Sequence, residues 1–400
     1  MYLSDFSLNV VMRYSRRTAD IMDSFIMKLI AVSNEPGMIS FATGLPDKRL
    51  FDTEGLARAA ASVFNDKELA KDALQYSTIK GILPLRKKIA ARCSKEMNFS
   101  VSEENIFITN GSQECFDLLG KMFLDKSDGM AVDDPGYLGA LQSFSLYGPE
   151  FIGVPMSEGG PDAAKLRDAV DRHPKLYYSI PNHQNPSGFS YSKDKRKEVA
   201  EILSSSDCIM VEDDAYGELG YDGRIGPPVR SMCSNVILTG SFSKTISPGM
   251  RIGWMIVPDE MVDITMKCIE SSSLHANSFS QNVMDRFLGD IDLDAYLRPI
   301  RQEYKRKRDL MLDLLDDHLP SELEWNRPDG GMFIWLRMKK GSDAMKLYES
   351  ALRRKLVVMP GRPFHINGGE NTIRLNFATA GEEEIKEGVK RLAKAYEDPF

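Results

Sequence analysis

One lysine, in the stretch "SFSKTISPGMRIGW", lies among residue types that can hold a reactive group. Lys244 is flanked by Ser241 and Ser243, and Arg251 follows seven positions later. A lysine that is desolvated beside other cations loses its proton more easily and can act as a nucleophile toward an aldehyde. Most lysines are instead solvated surface groups, and this stretch alone does not separate the two interpretations.

Three other short stretches place polar residues at the ends of apolar runs. "TNGSQ" would present the backbone N–H groups of Ser112 and Gln113 at a helix start, where phosphate binds readily, although a serine cap is the simpler interpretation. "NHQNPSG" holds Asn185 in what is otherwise an ordinary turn. "VEDDAYGEL" ends an apolar strand with acids, which need a metal, an acid–base partner, a cationic heterocycle or a helix to cap.

The elements that must position these residues follow from the hydrophobic pattern. Between about residue 100 and residue 257, short apolar runs alternate with longer amphipathic ones, which predicts an α/β domain with a mostly parallel sheet. Ligands of such sheets bind at the carboxyl ends of the strands, and all four stretches follow or end a predicted strand. After residue 258 the pattern is helical to about residue 317, and short strands then predict a smaller α+β domain.

The composition excludes several classes of protein. A formal net charge of -7 argues against nucleic acid as a partner. No run approaches the roughly 20 apolar residues of a membrane-spanning helix, and the first residues lack the charge order of a secretory signal. The five cysteines have no C-x-x-C spacing, and His183 has no partner at metal-ligand spacing. We therefore expect a cytoplasmic protein with reduced thiols, no metal and no membrane or nucleic-acid partner.

A basic run, "YKRKRD", lies inside a predicted helix of the region between residue 258 and about residue 317. Glu303 stands four residues before Lys307, and the acidic "LLDDH" follows the run. This charge pattern predicts a solvated helix face and not a nucleic-acid patch.

In their order along the chain, these stretches resemble the motifs of the fold type I pyridoxal-phosphate-dependent aminotransferases of class I/II. The resemblance is greatest to the branch with 2-aminoadipate and kynurenine aminotransferases. It extends from about residue 39 through "FATGLPD", "YSTIKGILPLR", "TNGSQ", "DDPGY", "NHQNPSG", "VEDDAYGEL", "SFSKTISPGMRIGW", "GGMFIWL", "PGRPF" and "IRLNFA".

The resemblance implies an α/β fold with a large domain, whose mostly parallel seven-stranded sheet is flanked by helices, and a smaller α+β domain. We assign residues 1–45 to an N-terminal segment that joins the small domain and covers the active site. Residues 46–290 then form the large cofactor-binding domain, and residues 291–400 form the small C-terminal domain.

The resemblance also implies pyridoxal 5'-phosphate as the cofactor and places the family's catalytic residues on Lys244, Asp213 and Tyr216. Lys244 corresponds to the lysine that binds the cofactor's aldehyde, and Asp213 to the partner of the pyridine nitrogen. The family's cofactor-binding residues fall on Ser112, Gln113, Tyr137, Asn185, Asp213, Tyr216, Ser241, Ser243, Lys244, Arg251 and, from the other subunit of a homodimer, Tyr76.

The family's substrate-binding residues fall on Arg374, Asn185 and Gly44. Arg374 corresponds to the arginine that clamps the α-carboxylate, and a planar fork of donors suits that group. Thr43 stands where relatives usually carry a second glycine, and "RRTADIMDSF" in the N-terminal segment has no close motif match. The motifs therefore do not specify the substrate side chain, and the position of Arg362 relative to the pocket is open.

These implications predict an enzyme that moves the amino group of an L-amino acid to a 2-oxo acid, with 2-oxoglutarate expected, by a ping-pong mechanism. One alternative is a C–S β-lyase on the same scaffold, which would release pyruvate and ammonia without a 2-oxo acid. Another is a ligand-sensing, non-catalytic relative fused to a winged helix. The motif pattern begins near residue 39, and both Lys244 and Arg374 are retained, which favours catalysis.

Overall fold

The computed structural model describes residues 31–97 and 100–398, together with residues 15, 17 and 29. The expected N-terminal segment, residues 1–45, and with it "RRTADIMDSF", therefore lies largely outside the described residues. Its strands, in chain order, are β1 (Ile39–Ser40), β2 (Ile106–Thr109), β3 (Gly129–Asp134), β4 (Glu150–Ser157), β5 (Gly160–Pro161), β6 (Leu176–Ser179), β7 (Ile209–Asp213), β8 (Val236–Ser241), β9 (Gly253–Ile256), β10 (Glu324–Trp325), β11 (Phe333–Arg337), β12 (Leu356–Val357), β13 (Met359–Pro360) and β14 (Thr372–Asn376).

The α-helices alternate with the strands of the first half of the chain, as the hydrophobic pattern predicts. They are α1 (Thr53–Asn65), α2 (Lys67–Leu74), α3 (Leu83–Met97), α4 (Ser112–Phe123), α5 (Leu138–Ser145), α6 (Ala163–Val170), α7 (Lys193–Ser204), α8 (Val262–Ser272), α9 (Ser278–Asp290), α10 (Leu293–His318), α11 (Ala344–Arg353) and α12 (Glu382–Glu397). Within the described part of the chain, no helix is long and apolar enough to cross a bilayer.

The large sheet has the strand order β2-β9-β8-β7-β6-β3-β4-β5. Strands β8, β7, β6, β3 and β4 are parallel, and β9 is antiparallel to both of its neighbours. The expectation of a mostly parallel sheet is confirmed. The sheet differs from the expected seven strands by the two-residue β5, which forms because Gly159 and Gly160, both at positive φ, turn the chain back onto β4.

The central strands lack the alternation of apolar and polar residues that a half-exposed strand shows. All six residues of β8 are buried, as are the last four of β7. Helices cover both faces of a parallel sheet, so its inner strands are apolar along their whole length. The polar side chains of β7 and β8, which are Glu212, Asp213, Thr239 and Ser241, lie toward the carboxyl ends of these strands.

Side-chain caps begin α6 and α7, two of the helices beside the sheet. Ser192 accepts a hydrogen bond from the backbone N–H of Lys195 at the start of α7, and Asp162 caps α6 in the same way. Helix α4 is different, because the residue before it is Gly111, which has no side chain to accept from the first N–H groups. The start of α4 is thereby left open to another acceptor.

The second sheet is antiparallel, in the order β10-β11-β14-β13, and β1 pairs with β12. One hydrophobic cluster continues from α4 and β6, through α10, to β11, β14 and α12. Helix α10 begins at Leu293, directly after the capping residue Asp292. The division into domains at residues 45 and 290 stays a prediction.

The prediction of a solvated face for "YKRKRD" is wrong for Lys307, which is buried in α10. Its Nζ lies 2.7 Å from Asp47 Oδ2 and donates to the carbonyl oxygen of Ala378 at 2.6 Å. Burial alone would raise the pKa of Asp47, but hydrogen bonds from Arg49 and Lys307 hold that pKa at about 2. The spacing to Glu303 could not show this, because Asp47 lies 260 residues earlier in the chain.

We predict that Lys307→Met lowers the free energy of unfolding by about 3 kcal/mol, because the buried Asp47 carboxylate and Ala378 carbonyl lose their donor. Lys305→Met is the matched control, since Lys305 is exposed on the same helix, and it should change stability by less than about 0.5 kcal/mol. Urea unfolding of both apo variants measures the difference. Equal midpoints for the two variants would contradict the structural role of Lys307.

Candidate active site

The candidate site lies at the carboxyl end of the parallel strands. Asp213 is the last residue of β7, and Lys244 follows the end of β8 by three residues. Asn185 follows β6, and Tyr137 follows β3. Neighbouring strands therefore deliver to one edge the residues that the motifs singled out.

Asp213 is a buried carboxylate held by hydroxyl groups. Tyr178 Oη donates to its Oδ2 at 2.8 Å, and Thr239 Oγ1 donates to its Oδ1 at 3.3 Å. Burial raises the pKa of Asp213 to about 7. Hydroxyl donors lower this pKa but do not neutralise the charge, so the ionised form is best stabilised by a cation placed against it.

Lys244 is partly buried, and its Nζ donates to the carbonyl oxygen of Gly44 at 2.9 Å. Burial, with the nearby charges of Arg374 and Arg251, lowers the pKa of Lys244 to about 8. An appreciable fraction of its amine is therefore neutral near physiological pH, as a nucleophile or a proton acceptor requires.

An anion-binding cradle surrounds the start of α4. Arg251 packs so closely on Gly111 that a Cβ at that glycine would overlap the guanidinium, whose Nη2 donates to the carbonyl oxygen of Asn110 at 2.9 Å. Ser241 Oγ and Ser243 Oγ lie 2.8 Å apart on the neighbouring strand end. Backbone N–H groups, hydroxyls and a guanidinium together suit a phosphate group.

Gln113 takes part in this cradle through its backbone. Its side-chain amide donates to the carbonyl oxygen of Gly139 at 2.8 Å and is exposed to solvent on its other side. Ser112 and Gln113 are the first two residues of α4, so their N–H groups have no carbonyl of the same helix to bond.

Arg374 is buried on β14 beside Asn185. Its Nη1 donates to Asn185 Oδ1 at 2.7 Å, and Asn185 Nδ2 donates to Tyr216 Oη at 3.4 Å. The Arg374 guanidinium lies over the rings of Phe333 and Phe364, at 4.5 and 5.0 Å from their centroids. Its Nε has no hydrogen-bond partner, and burial lowers the pKa of Arg374 to about 10.

The buried positive charge and the unpaired Nε of Arg374 favour binding of an anion. A buried guanidinium with an unpaired donor, next to two aromatic rings, favours a planar anion such as a carboxylate. Gly44 lies beside this guanidinium. A Cβ built on Gly44 would lie 3.9 Å from Arg374 Nη1 and 3.5 Å from the Phe333 ring. The backbone at Gly44 thus lies between the Lys244 amine, which donates to its carbonyl oxygen, and the guanidinium of Arg374.

Several residues of the site were not singled out from the sequence. Tyr178 and Thr239 position Asp213, and Phe333 and Phe364 enclose Arg374. Phe333 and Phe364 lie inside the motifs "GGMFIWL" and "PGRPF", whereas Tyr178 and Thr239 lie in the apolar runs before "NHQNPSG" and "SFSKTISPGMRIGW". Their apolar or strand-forming character is what any buried strand shows, so only the folded contacts identify them.

Two residues lie apart from this group. Tyr76 is 78% exposed, and within this chain its ring contacts His275, with centroids 6.0 Å apart. Arg362 donates from Nη1 to the carbonyl oxygen of His365 at 3.1 Å and lies 3.4 Å from Glu370. The structure thus directs the guanidinium of Arg362 to its own loop.

The donor set as a whole fits pyridoxal phosphate. A buried carboxylate stands ready for the ring nitrogen, a depressed-pKa amine for the aldehyde, and the cradle at α4 for the phosphate. No cluster of three or more potential metal ligands occurs among the described residues.

Comparison with known proteins agrees with this fit. The family model of the class I and II aminotransferases matches residues 37–392. The chain is 36% identical over 389 residues to the 2-aminoadipate transaminase of Thermus thermophilus, covering 96% of each chain. It is 34% identical over 394 residues to the aromatic-amino-acid aminotransferase 1 of Thermococcus litoralis, covering 96% and 94% of the two chains.

A solved structure shows the same fold with the cofactor present. The alpha-aminoadipate aminotransferase of Thermus thermophilus, complexed with N-(5'-phosphopyridoxyl)-L-leucine, superimposes with a TM-score of 0.89 at 36% identity, covering 96% of this chain and 97% of the other. The motif order, the geometry of the site and these similarities lead to one conclusion: the chain belongs to the class I and II aminotransferases and is a pyridoxal-phosphate-dependent transaminase of fold type I.

Proposed function

We propose that this transaminase takes the amino group of an L-amino acid and passes it to 2-oxoglutarate by a ping-pong mechanism. The observation that carries the proposal is the buried Arg374, with its unpaired Nε, next to the backbone that contacts Lys244. This arrangement supports a substrate whose carboxylate is bound by Arg374 and whose α-carbon faces the amine of Lys244.

Each residue of the site has a defined task in this reaction. Bound pyridoxal phosphate supplies the electron sink for the charge left on the substrate's α-carbon. Arg374 binds the carboxylate, and Asn185 keeps the guanidinium in orientation through the 2.7 Å hydrogen bond. Lys244 Nζ removes the α-proton and holds it for return, which its lowered pKa permits. Ionised Asp213 stabilises the protonated ring nitrogen.

The remaining residues hold the cofactor in place. The backbone N–H groups of Ser112 and Gln113, the hydroxyls of Ser241 and Ser243, and the guanidinium of Arg251 bind the phosphate. Tyr137 would pack against the ring, and the hydroxyl of Tyr216, with the amide of Asn185, would bind the ring oxygen.

We further propose a homodimer in which Tyr76 completes the partner's site. Large apolar side chains are exposed near it, with Leu74 70% and Leu274 51% exposed, and the ring of the half-exposed Phe64 packs on Phe279 at 5.3 Å. A patch of this kind is typical of a protein–protein interface. A second copy would cover the patch and bring Tyr76 to the phosphate of its partner.

The names of the two relatives support a donor with a long acidic or an aromatic side chain. Both are transaminases that match nearly the whole chain, and they are named for 2-aminoadipate and for aromatic amino acids. We place the enzyme in the cytoplasm, which its five free cysteines support.

The half-reaction tests the function directly. With one donor amino acid and no acceptor, the holoenzyme should release one equivalent of 2-oxo acid and no ammonia, and 2-oxoglutarate should restart turnover. Lys244→Ala should slow this release at least about a hundredfold, whereas Lys267→Ala, at an exposed lysine, should not change it. Continuous release of pyruvate and ammonia without an acceptor would identify a β-lyase instead.

The role of Arg374 predicts a selective defect. Arg374→Lys should lower kcat/KM for an amino acid donor about a hundredfold, because a point charge cannot replace the bidentate fork. The same variant should leave the slow reaction of the matching amine, which lacks the carboxylate, nearly unchanged. Arg298→Lys, at an exposed arginine, serves as the control. An equal loss for both substrates would show that Arg374 does not bind the carboxylate.

The dimer is tested by mixing two inactive variants. Tyr76→Ala and Lys244→Ala subunits, exchanged at equal concentration, should recover about a quarter of the wild-type sites, because each hybrid dimer contains one site with neither change. Lys244→Ala mixed with the double variant Lys244→Ala/Tyr76→Ala should recover none. Sedimentation confirms the assembly state, and hybrids without recovery would place Tyr76 outside the partner's site.

A further inference from the structure

We propose that Arg224 is a positioning residue for the cofactor site, which acts by compensating the buried charge of Asp214 and thereby holding the loop after β7. This loop carries Tyr216 and follows Asp213 directly. The inference rests on the proposed role of Asp213 at the ring nitrogen.

Asp214 joins the two loops that bear the ring-contacting residues. Its side chain is 5% exposed and forms an ion pair with Arg224. Its Oδ1 accepts from Asn182 Nδ2 at 2.6 Å, and Asn182 belongs to the same loop as Asn185. The carboxylate of Asp214 therefore connects the Asn185 loop with the Tyr216 loop, and Arg224 supplies its counter-charge.

The local sequence makes room for this ion pair. A Cβ at Gly217 would overlap both Asp214 Oδ1 and Arg224 Nη1. The glycine of "DDAYGEL" thus allows the guanidinium to reach Asp214 over the backbone of the loop. Arg224 reaches this position from a segment without regular structure, seven residues further along the chain.

Hydrogen bonding does not account for the buried position of Arg224. Its side chain is 7% exposed, and its Nε and Nη1 have no hydrogen-bond partner. Glu218 lies 3.9 Å from Nη1 but already pairs with Arg92 at 2.7 Å and with Arg301 at 3.3 Å. A guanidinium with two unbonded nitrogens is not held there by its hydrogen bonds, so what it provides is its charge beside Asp214.

The charge of Asp214 matters because Asp213 is its neighbour. Burial raises the pKa of Asp213, and a negative charge on Asp214 raises it further. The titratable or hydroxyl groups that face Asp213 are Tyr178 on β6, Thr239 on β8, Cys115 on α4, Tyr137, Tyr216 and Lys244. Those that face Asp214 are Arg224, Arg196 on α7, Glu212 on β7, Cys93 on α3 and Glu218.

Loss of the Arg224 charge therefore has a predictable sign. Uncompensated Asp214 would raise the pKa of Asp213, so that a higher pH is needed to ionise Asp213 for the ring nitrogen. The pH below which cofactor affinity falls should then move upward. Adding Asp214→Asn to the Arg224→Gln variant should reverse this shift. The two buried side chains are then neutral amides that can hydrogen-bond to each other, and no charge is left on residue 214 beside Asp213.

The test measures the Kd of pyridoxal phosphate for the apoenzyme against pH, by fluorescence quenching. We expect Arg224→Gln to bind about tenfold more weakly at pH 7 and to move the acidic limb up by about one pH unit. Arg224→Lys and the double variant Asp214→Asn/Arg224→Gln should stay near the wild-type profile. Arg308→Gln is the matched control, since Arg308 lies over Tyr221 of the same segment at 4.9 Å.

The proposal is overturned if Arg224→Gln keeps the wild-type profile, or if the double variant is as defective as Arg224→Gln. If Arg224→Gln does not fold while the double variant folds and binds normally, charge compensation is supported. Failure of both to fold would overturn it in favour of a purely structural role. Asp213→Asn distinguishes the proposed function, because it should weaken cofactor binding at every pH above the acidic limb, and wild-type affinity in that variant refutes the role of Asp213 whatever Arg224 does.

Discussion

The burial of a carboxylate at the end of β7 is the constraint on which the rest of the site depends. Asp213 receives hydrogen bonds from two hydroxyls, which lower its pKa only in part, and burial holds that pKa near 7. Ionised Asp213 is best stabilised by a cation brought by a ligand. A protonated pyridine nitrogen is such a cation. Without the cofactor, the buried Asp213 carboxylate therefore has no positive charge from the described residues directly against it.

The cations of the site are stabilised by anions that the cofactor and the substrate bring. Arg251 and Arg374 lie near Lys244, and their repulsion adds to desolvation in lowering the pKa of the lysine. A phosphate beside Arg251 and a substrate carboxylate at Arg374 would relieve that repulsion while leaving Lys244 near the pH at which it can exchange a proton. Binding and reactivity thus follow from one charge distribution.

Most of the site could be predicted because its residues are tied to strand ends. Asp213 and Lys244 follow apolar runs whose parallel pairing forces their ends to one edge of the sheet. The turn formers around Asn185 and the uncapped start of α4 are local features, readable from neighbouring residues. The motif order then related these weak signals to one family, and the family match over residues 37–392 confirmed it.

The sequence by itself determined the alternation of elements, the residues at the strand ends and the family, because each of these depends on local periodicity and short motifs. Only the tertiary structure decided that Lys307 is buried on Asp47, that Arg224 pairs with Asp214, and that Arg374 lies over the rings of Phe333 and Phe364. A charged residue looks the same in a sequence whether it is solvated or paired. Its partner comes from a distant segment, and the burial that makes the pairing necessary exists only once the chain is folded.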